Sequence, residues 1–99
     1  MVLVNIIRTY RDVVAVCDSE LLGKTFEEGD FQLYVKENFF NGEEKTEVET
    51  IEIMQKMSLD DATFNIIGEN SVRVAIKAGI ISDDEVGKIR GIPFALVLI

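Results

Sequence analysis

Val13-Val14-Ala15-Val16-Cys17 is a run of five apolar residues with no polar interruption. Such a run, rich in β-branched side chains, is typical of a strand that is buried on both faces or nearly so. Apolar residues in the preceding segment, 2–10, suit a second strand, and Arg11-Asp12 lies between the two segments as a tight turn. The N-terminal part of the chain is therefore predicted to form a β-hairpin.

The middle of the chain is predicted to be helical. Thr46-Glu47-Val48-Glu49 has the pattern of a capping box, in which a threonine and a glutamate three residues later satisfy free amides at a helix start. A second helix is predicted from Ser58 to Gly68, because apolar residues recur there at helical spacing. A third is predicted from Ser71 to Ala78, with Gly79 just after its end.

The remaining segments are predicted as strands and one loop. Residues 18–29 are polar and irregular, residues 31–35 alternate like a strand, residues 86–89 suit a short strand, and residues 94–99 are apolar throughout. The order βββ-ααα-ββ predicts one α+β domain over residues 1–99. We expect a small mixed or antiparallel sheet with helices packed on one face.

Charge and cysteine content limit the partners and the compartment. The net charge of −8 argues against strong nonspecific binding to nucleic acid, although residues 86–99 carry two basic and no acidic side chains. The sequence leaves nucleic-acid binding open. The single cysteine, Cys17, fits a reducing cytosol, and both apolar ends are too short for a signal peptide or a membrane span. We expect a cytoplasmic protein that does not associate with membranes.

The residue inventory excludes most familiar catalytic mechanisms. The chain contains no histidine, so triads of the usual kind and histidine-based metal sites are excluded. Gly23-Lys24-Thr25 resembles the end of a P-loop, but the position that needs the first glycine is Asp18. Asp60 and Asp61 suit the start of a helix better than a metal site. We therefore predict no catalytic residue, no metal and no cofactor.

Four segments resemble an archaeal family, the domain of unknown function 424 (DUF424). The most specific is Leu21-Leu-Gly-Lys-Thr-Phe-Glu-Glu-Gly-Asp30, which is similar to the family's signature. The others are Phe39-Phe-Asn-Gly42, which is similar to an aromatic-glycine turn, Ala62-Thr-Phe-Asn-Ile-Ile-Gly-Glu69, which is similar to a helix end, and Gly91-Ile-Pro-Phe-Ala95. In the last, Phe94 replaces the histidine often found in the family, which favours a structural or binding role there. The resemblance implies a small archaeal cytoplasmic protein without an established activity.

The leading functional hypothesis is a binding module with a protein or ribonucleoprotein partner, linked to translation or RNA metabolism. The expected contact surface is the polar loop between two strands, because such loops commonly carry recognition. Its candidate residues are Gly23, Lys24, Thr25, Phe26, Glu27, Glu28, Gly29 and Asp30, with Asn65, Gly91 and Pro93 as a second tier. The alternatives left open are an enzyme that uses carboxylates and Lys24, with or without Mg²⁺, and a homo-oligomer.

Overall fold

The computed structural model describes residues 1–98, and the structural statements below concern those residues. The elements follow one another as β1 Val2–Ile7, β2 Val13–Asp18, β3 Thr25–Glu28, β4 Phe31–Tyr34, α1 Glu37–Phe40, β5 Glu43–Lys45, α2 Glu47–Leu59, β6 Thr63–Ile67, α3 Glu69–Lys77, β7 Gly87–Ile89 and β8 Ile92–Val97.

Six of these strands form one sheet in the order β5-β1-β2-β6-β8-β7, and β3 pairs with β4 in a separate hairpin. Strands β2 and β6 are parallel, whereas the other neighbours in the sheet are antiparallel. The residues from Val14 to Cys17 are all fully buried in the sheet interior. The predicted α+β class, the mixed sheet and the N-terminal hairpin are confirmed.

Both faces of the sheet are covered, and the alternation along β2 divides its side chains between them. Val14 and Val16 pack into a core with side chains of α2 and α3, whereas Ala15 and Cys17 pack on the opposite face under the β3–β4 hairpin and α1. Helices α2 and α3 share one face as predicted. The single-turn helix α1, which the sequence did not predict, lies on the other.

Two helix ends confirm the sequence patterns atom by atom. The Glu49 amide donates to Thr46 Oγ1 at 3.2 Å while the Thr46 amide donates to Glu49 Oε1 at 2.9 Å, which is the reciprocal capping box. At the end of α3, Gly79 has a φ of 79°. The Ile80 amide there donates to the carbonyl of Ala75 at 3.0 Å, which closes a Schellman motif.

The predicted second helix is wrong, because residues 63–67 form the central strand β6. Helix α2 ends at Leu59, and the chain leaves the helical direction at Asp61, whose φ is 58°. In β6, Ile66 faces the α2 and α3 side and Ile67 faces the hairpin side, and both are buried. A strand covered on both faces has no alternation, so its apolar residues also fit helical spacing. The Asp60-Asp61 pair accordingly lies at a helix C-terminus and not at a helix start.

The predicted loop is also partly wrong, because residues 25–28 form β3. The chain reverses after Glu28 through the two-residue turn Gly29-Asp30, and Gly29 takes the left-handed conformation with a φ of 60°. Within residues 1–98, none of the helices has the length and apolar character needed to span a membrane.

Candidate functional site: a cleft between the hairpin and the sheet

The β3–β4 hairpin and α1 cover only part of their face of the sheet. They cover the row that contains Leu3, Cys17 and Ile67, all of which are buried. The adjacent row runs across four strands through Asn5, Ala15, Asn65 and Leu96, and Leu96 is 56% exposed. The edge of the covering layer therefore leaves an opening above Asn65 and Leu96.

This opening is a cleft of about 460 Å³, a volume within the range of known ligand sites. One wall comes from β4 and α1, and the floor comes from β6 and β8. The lining residues are Leu33, Tyr34, Lys36, Asn38, Phe39, Phe40, Asn65, Ile66, Ile67, Phe94, Ala95 and Leu96. Most of the lining is apolar, and Lys36 is the one charged residue in it among residues 1–98.

Three polar side chains of the cleft, those of Lys36, Asn38 and Asn65, make no hydrogen bond or ion pair to another part of residues 1–98. The nearby Asn5 differs, because its Nδ2 donates to the carbonyl of Phe39 at 2.8 Å and so ties α1 to β1. One ammonium group and two carboxamides are therefore available for a ligand at the edge of an apolar surface.

Phe94 forms the apolar end of the floor. It pairs with Gly87 across β7 and β8, and a Cβ atom at position 87 would lie 2.9 Å from Phe94 Cζ. The absence of a side chain at Gly87 therefore leaves room for the Phe94 ring. A phenylalanine here makes this part of the cleft apolar and unable to exchange a proton.

The structure separates the eight predicted contact residues into anchors and exposed groups. Phe26 packs into the core under the hairpin. The Gly23 amide donates to the Val35 carbonyl at 2.7 Å and is not free to bind a phosphate. Glu28 Oε1 accepts the Arg90 amide at 2.7 Å, which fastens the hairpin tip to the β7–β8 turn.

The other five predicted residues lie along the solvent side or the turn of the hairpin. Glu27 Oε1 accepts Gln32 Nε2 across the hairpin at 3.1 Å, and Gly29 forms the turn. The exposed residues Lys24, Thr25 and Asp30 make no side-chain hydrogen bond or ion pair with other described residues. The role of these three residues as contact residues remains a prediction, and none of them lines the cleft.

The second-tier residues do not form one site. Asn65 lies in the cleft floor, Gly91 lies in the β7–β8 turn with a φ of 77°, and Pro93 lines a groove beside α3 on the opposite face. Sequence reasoning missed Tyr34, Lys36 and Asn38, because they become neighbours of Asn65 only when α1 packs against the sheet. The strand pattern at residues 31–35 and the family-like turn at residues 39–42 were the two signals that involved this wall.

Two sets of charged groups outside the cleft are engaged in the fold. The buried Asp18 carboxylate accepts the amides of Asn70 and Ser71 at 3.1 and 2.8 Å, so the N-terminus of α3 already holds an anion. Glu47 accepts Lys77 Nζ at 2.7 Å, and this hydrogen bond, with the charge of Lys77, lowers the pKa of Glu47. The basic side chains of α3 are thus partly neutralised.

Two observations in residues 1–98 concern the thiol and the acidic side chains. Burial raises the pKa of the Cys17 thiol to about 12, with the charges of Asp18 and Glu20 adding to the shift, so the thiol stays protonated. Acidic and cysteine side chains do not gather in groups of three or more that could hold a metal ion within this range.

Comparison with known proteins gives a family and a related structure. The model of a family described as a protein of unknown function (DUF424) matches residues 7–99. A crystal structure of an uncharacterized conserved protein from Methanopyrus kandleri is similar, with 26% sequence identity and a TM-score of 0.87. The similarity covers 97% of this chain and 89% of that one. No protein of curated function matches the chain.

Proposed function

Since the chain belongs to the DUF424 family of proteins of unknown function, we propose that it is a binding module that takes a segment of a polypeptide partner in the cleft between the β3–β4 hairpin and the sheet. The observation that carries this proposal is the lining, in which three polar side chains without a partner in residues 1–98 border an apolar surface. Such a mixture is common where one apolar side chain of a ligand is anchored and a few polar groups fix its orientation.

Each part of the lining has a role in this proposal. Leu33, Phe94 and Leu96 bury an apolar side chain of the partner. The carboxamides of Asn38 and Asn65 each offer both donors and acceptors, which match the polar groups beside that side chain. Lys36 adds hydrogen-bond donors at the rim. In this proposal the partner is bound at the site and is not chemically modified there.

Charge favours a polypeptide over RNA as the direct ligand. A single lysine in the lining neutralises little of a phosphate backbone, and the chain as a whole carries a charge of −8. A link to translation or RNA metabolism would then run through the protein part of a ribonucleoprotein. The alternative is an enzyme using carboxylates and Lys24, with or without Mg²⁺, and in residues 1–98 acidic side chains do not gather in a group of three or more that could hold the metal ion.

Photo-cross-linking at two tyrosines tests the proposal. Tyr34 lines the cleft and is 51% exposed, whereas Tyr10 is fully exposed in the β1–β2 turn outside it. Each is replaced in turn by benzoylphenylalanine, and the purified chain is irradiated in lysate of its source cells with and without nuclease. We expect the probe at 34, but not the probe at 10, to attach to one defined polypeptide in both samples.

Two matched variants test whether the cross-link at position 34 depends on binding in the cleft. Asn65→Ala and Leu96→Gln remove one polar and one apolar lining group, and both should reduce the cross-link at 34, because each contributes to binding. Equal yields from positions 10 and 34 would contradict a specific cleft. Loss of the cross-link on nuclease treatment would mean that RNA, and not a polypeptide, holds the complex together.

A further inference from the structure

The outer edge of β8 is only partly paired. Its inner edge pairs with β6 over residues 94–97, whereas β7 pairs with its outer edge over residues 92–94. Beyond Phe94, no strand of residues 1–98 pairs with the outer edge. The tip of the β3–β4 hairpin is fastened to Arg90, near the other end of β8. The C-terminal part of β8 is therefore an open edge of the six-stranded sheet.

The alternation of hydrogen bonds along β8 shows which backbone groups point outward. The Pro93 carbonyl accepts the amide of Gly68, which directly follows β6, at 2.8 Å. In an antiparallel ladder successive residues bond to opposite sides, so the backbone groups of Leu96 point away from β6. The amide and carbonyl of Leu96 have no hydrogen-bond partner on that side within residues 1–98, and Leu98 continues the alternation. Leu96 and Leu98 thus offer two amides and two carbonyls at strand spacing.

We propose that this open edge takes the partner's polypeptide segment as an added β-strand, which pairs with Leu96 and Leu98 and carries an apolar side chain on every second residue. The inference rests on the proposed function, because it gives the conformation and the hydrogen-bond partners of the segment that the cleft binds. The residue opposite Leu96 in the added strand has its side chain on the same face as Leu96, about 5 Å away. Since Leu96 lines the cleft, that side chain lies at the mouth of the cleft.

The open edge lacks the features that usually protect an edge strand from pairing. Such strands are commonly covered, or they carry charged side chains that oppose the approach of another strand. The strand at the opposite edge of the sheet, β5, consists of two glutamates and a lysine. Residues 95–98 are Ala-Leu-Val-Leu without a charge, and Leu96 and Leu98 are 56% and 71% exposed. Free backbone groups and apolar side chains therefore lie together, which is the combination that binds an extended polypeptide by strand addition.

The polar groups of the cleft favour a different polypeptide over a second copy of this chain. A second copy that paired through its own β8 would bring alanine, leucine and valine side chains to the edge. These side chains form no hydrogen bond with Lys36, Asn38 or Asn65, which have no partner within residues 1–98. A partner of another sequence can place a polar side chain next to its apolar ones, so that both parts of the cleft are used.

Proline at position 96 tests the pairing without disturbing the sheet. Proline lacks the amide hydrogen, and an edge strand tolerates it where that amide would face away from the neighbouring strand. Leu96→Pro should therefore keep the far-ultraviolet circular dichroism spectrum of the parent chain while it loses one donor of the open edge. Leu96→Ala is the matched control, because it shortens the same side chain and keeps the amide.

The probe is a phage-displayed library of linear twelve-residue peptides, selected on the full chain and depleted on Leu96→Pro. We expect the enriched peptides to have apolar residues at every second position. A synthesised winner should bind Leu96→Pro about tenfold more weakly than Leu96→Ala in fluorescence anisotropy, because a hydrogen bond is lost. N-methylation of its amides one at a time should weaken binding at alternate positions only, since a strand pairs along one edge through every second residue.

Amide exchange followed by NMR tests the same pairing without a variant. In the free chain the amides of Leu96 and Leu98 should exchange faster than those of Ala95 and Val97, because only the latter two point towards β6. The winning peptide should slow the exchange at Leu96 and Leu98. Exchange and N-methylation decide the question if Leu96→Pro does not fold.

The other outcomes overturn the inference. These are no enriched peptide, N-methylation effects without a period of two, unchanged exchange of the Leu96 amide on binding, or equal affinities of folded Leu96→Pro and Leu96→Ala. A chain that sediments as a dimer, and as a monomer when Leu96 is replaced by proline, would show that a second copy takes the edge. If Asn65→Ala reduces the cross-link at position 34 while Leu96→Pro lowers it no further than Leu96→Ala, the proposed function stands and the strand addition fails.

Discussion

Replacing Asp18 by asparagine removes the anion on which the start of α3 is built. The carboxylate is 3% exposed. Its Oδ1 accepts the Ser71 amide and the Ser71 hydroxyl, each at 2.8 Å. Its Oδ2 accepts the Asn70 amide at 3.1 Å and Asn70 Nδ2 at 3.3 Å. In asparagine an NH₂ group replaces one of the two oxygens, so with the side chain in the same position one of these two backbone amides loses its acceptor.

Two losses contribute to the expected decrease in the free energy of unfolding. A buried donor left without a partner costs about 1–3 kcal/mol. Removing a negative charge from a helix N-terminus in a partly buried setting costs up to about 2 kcal/mol. We therefore expect Asp18→Asn to lower the free energy of unfolding by about 3 kcal/mol, a large share of the stability of a domain of this size.

Urea denaturation followed by far-ultraviolet circular dichroism measures this change. A loss of about 3 kcal/mol should lower the midpoint by roughly 2 M urea. Asp30→Asn, in the exposed hairpin turn, is the matched control and should change stability by less than about 0.5 kcal/mol. A loss below about 1 kcal/mol for Asp18→Asn would contradict the view that the carboxylate stabilises the start of α3 by accepting its first amides.

Three further predictions concern single residues. Asp61→Gly should raise the free energy of unfolding by about 1 kcal/mol, because Asp61 has a φ of 58° at a helix C-terminus. Asp60→Gly should lower the free energy of unfolding in the same urea titration, because Asp60 has a φ of −93° and gains nothing from glycine there. The pKa of Cys17 is raised from 9.0 to about 12 in the folded chain, so between these two pH values the thiol ionises in the unfolded chain and stays protonated in the folded one. Stability should then fall with a slope of up to about 1.4 kcal/mol per pH unit, and Cys17→Ala should remove that part of the slope. Lys77→Met should return the pKa of Glu47 towards 4.5 in a carboxyl NMR titration, and an unchanged value would contradict their pairing.

The sequence predicted those parts of the fold whose signals are local. The capping box at Thr46 and the glycine stop at Gly79 involve residues within one helix turn of each other. The run from Val13 to Cys17 is apolar enough to identify a strand in the interior. Each of these elements satisfies its pattern without reference to distant parts of the chain.

The rest depends on contacts between distant segments. The strand β6 was predicted as a helix because Ile66 and Ile67 are both buried, which occurs only when both faces of the sheet are covered. The cleft was not predicted beyond Asn65, since its wall residues Tyr34 and Lys36 meet the sheet through tertiary packing. Phe94 was singled out by its departure from the family pattern, and the structure gives that position a place in the cleft floor.

Hydrogen exchange in the captured complex tests whether the partner binds in the cleft. The chain is cross-linked to its partner through position 34, and backbone amide exchange is compared with that of the free chain. We predict slower exchange in the complex for residues 33–40 and 94–97, which border the cleft, with little change in α2 and α3. Protection confined to the face of α2 and α3, with none around the cleft, would contradict the assignment of the cleft as the binding site.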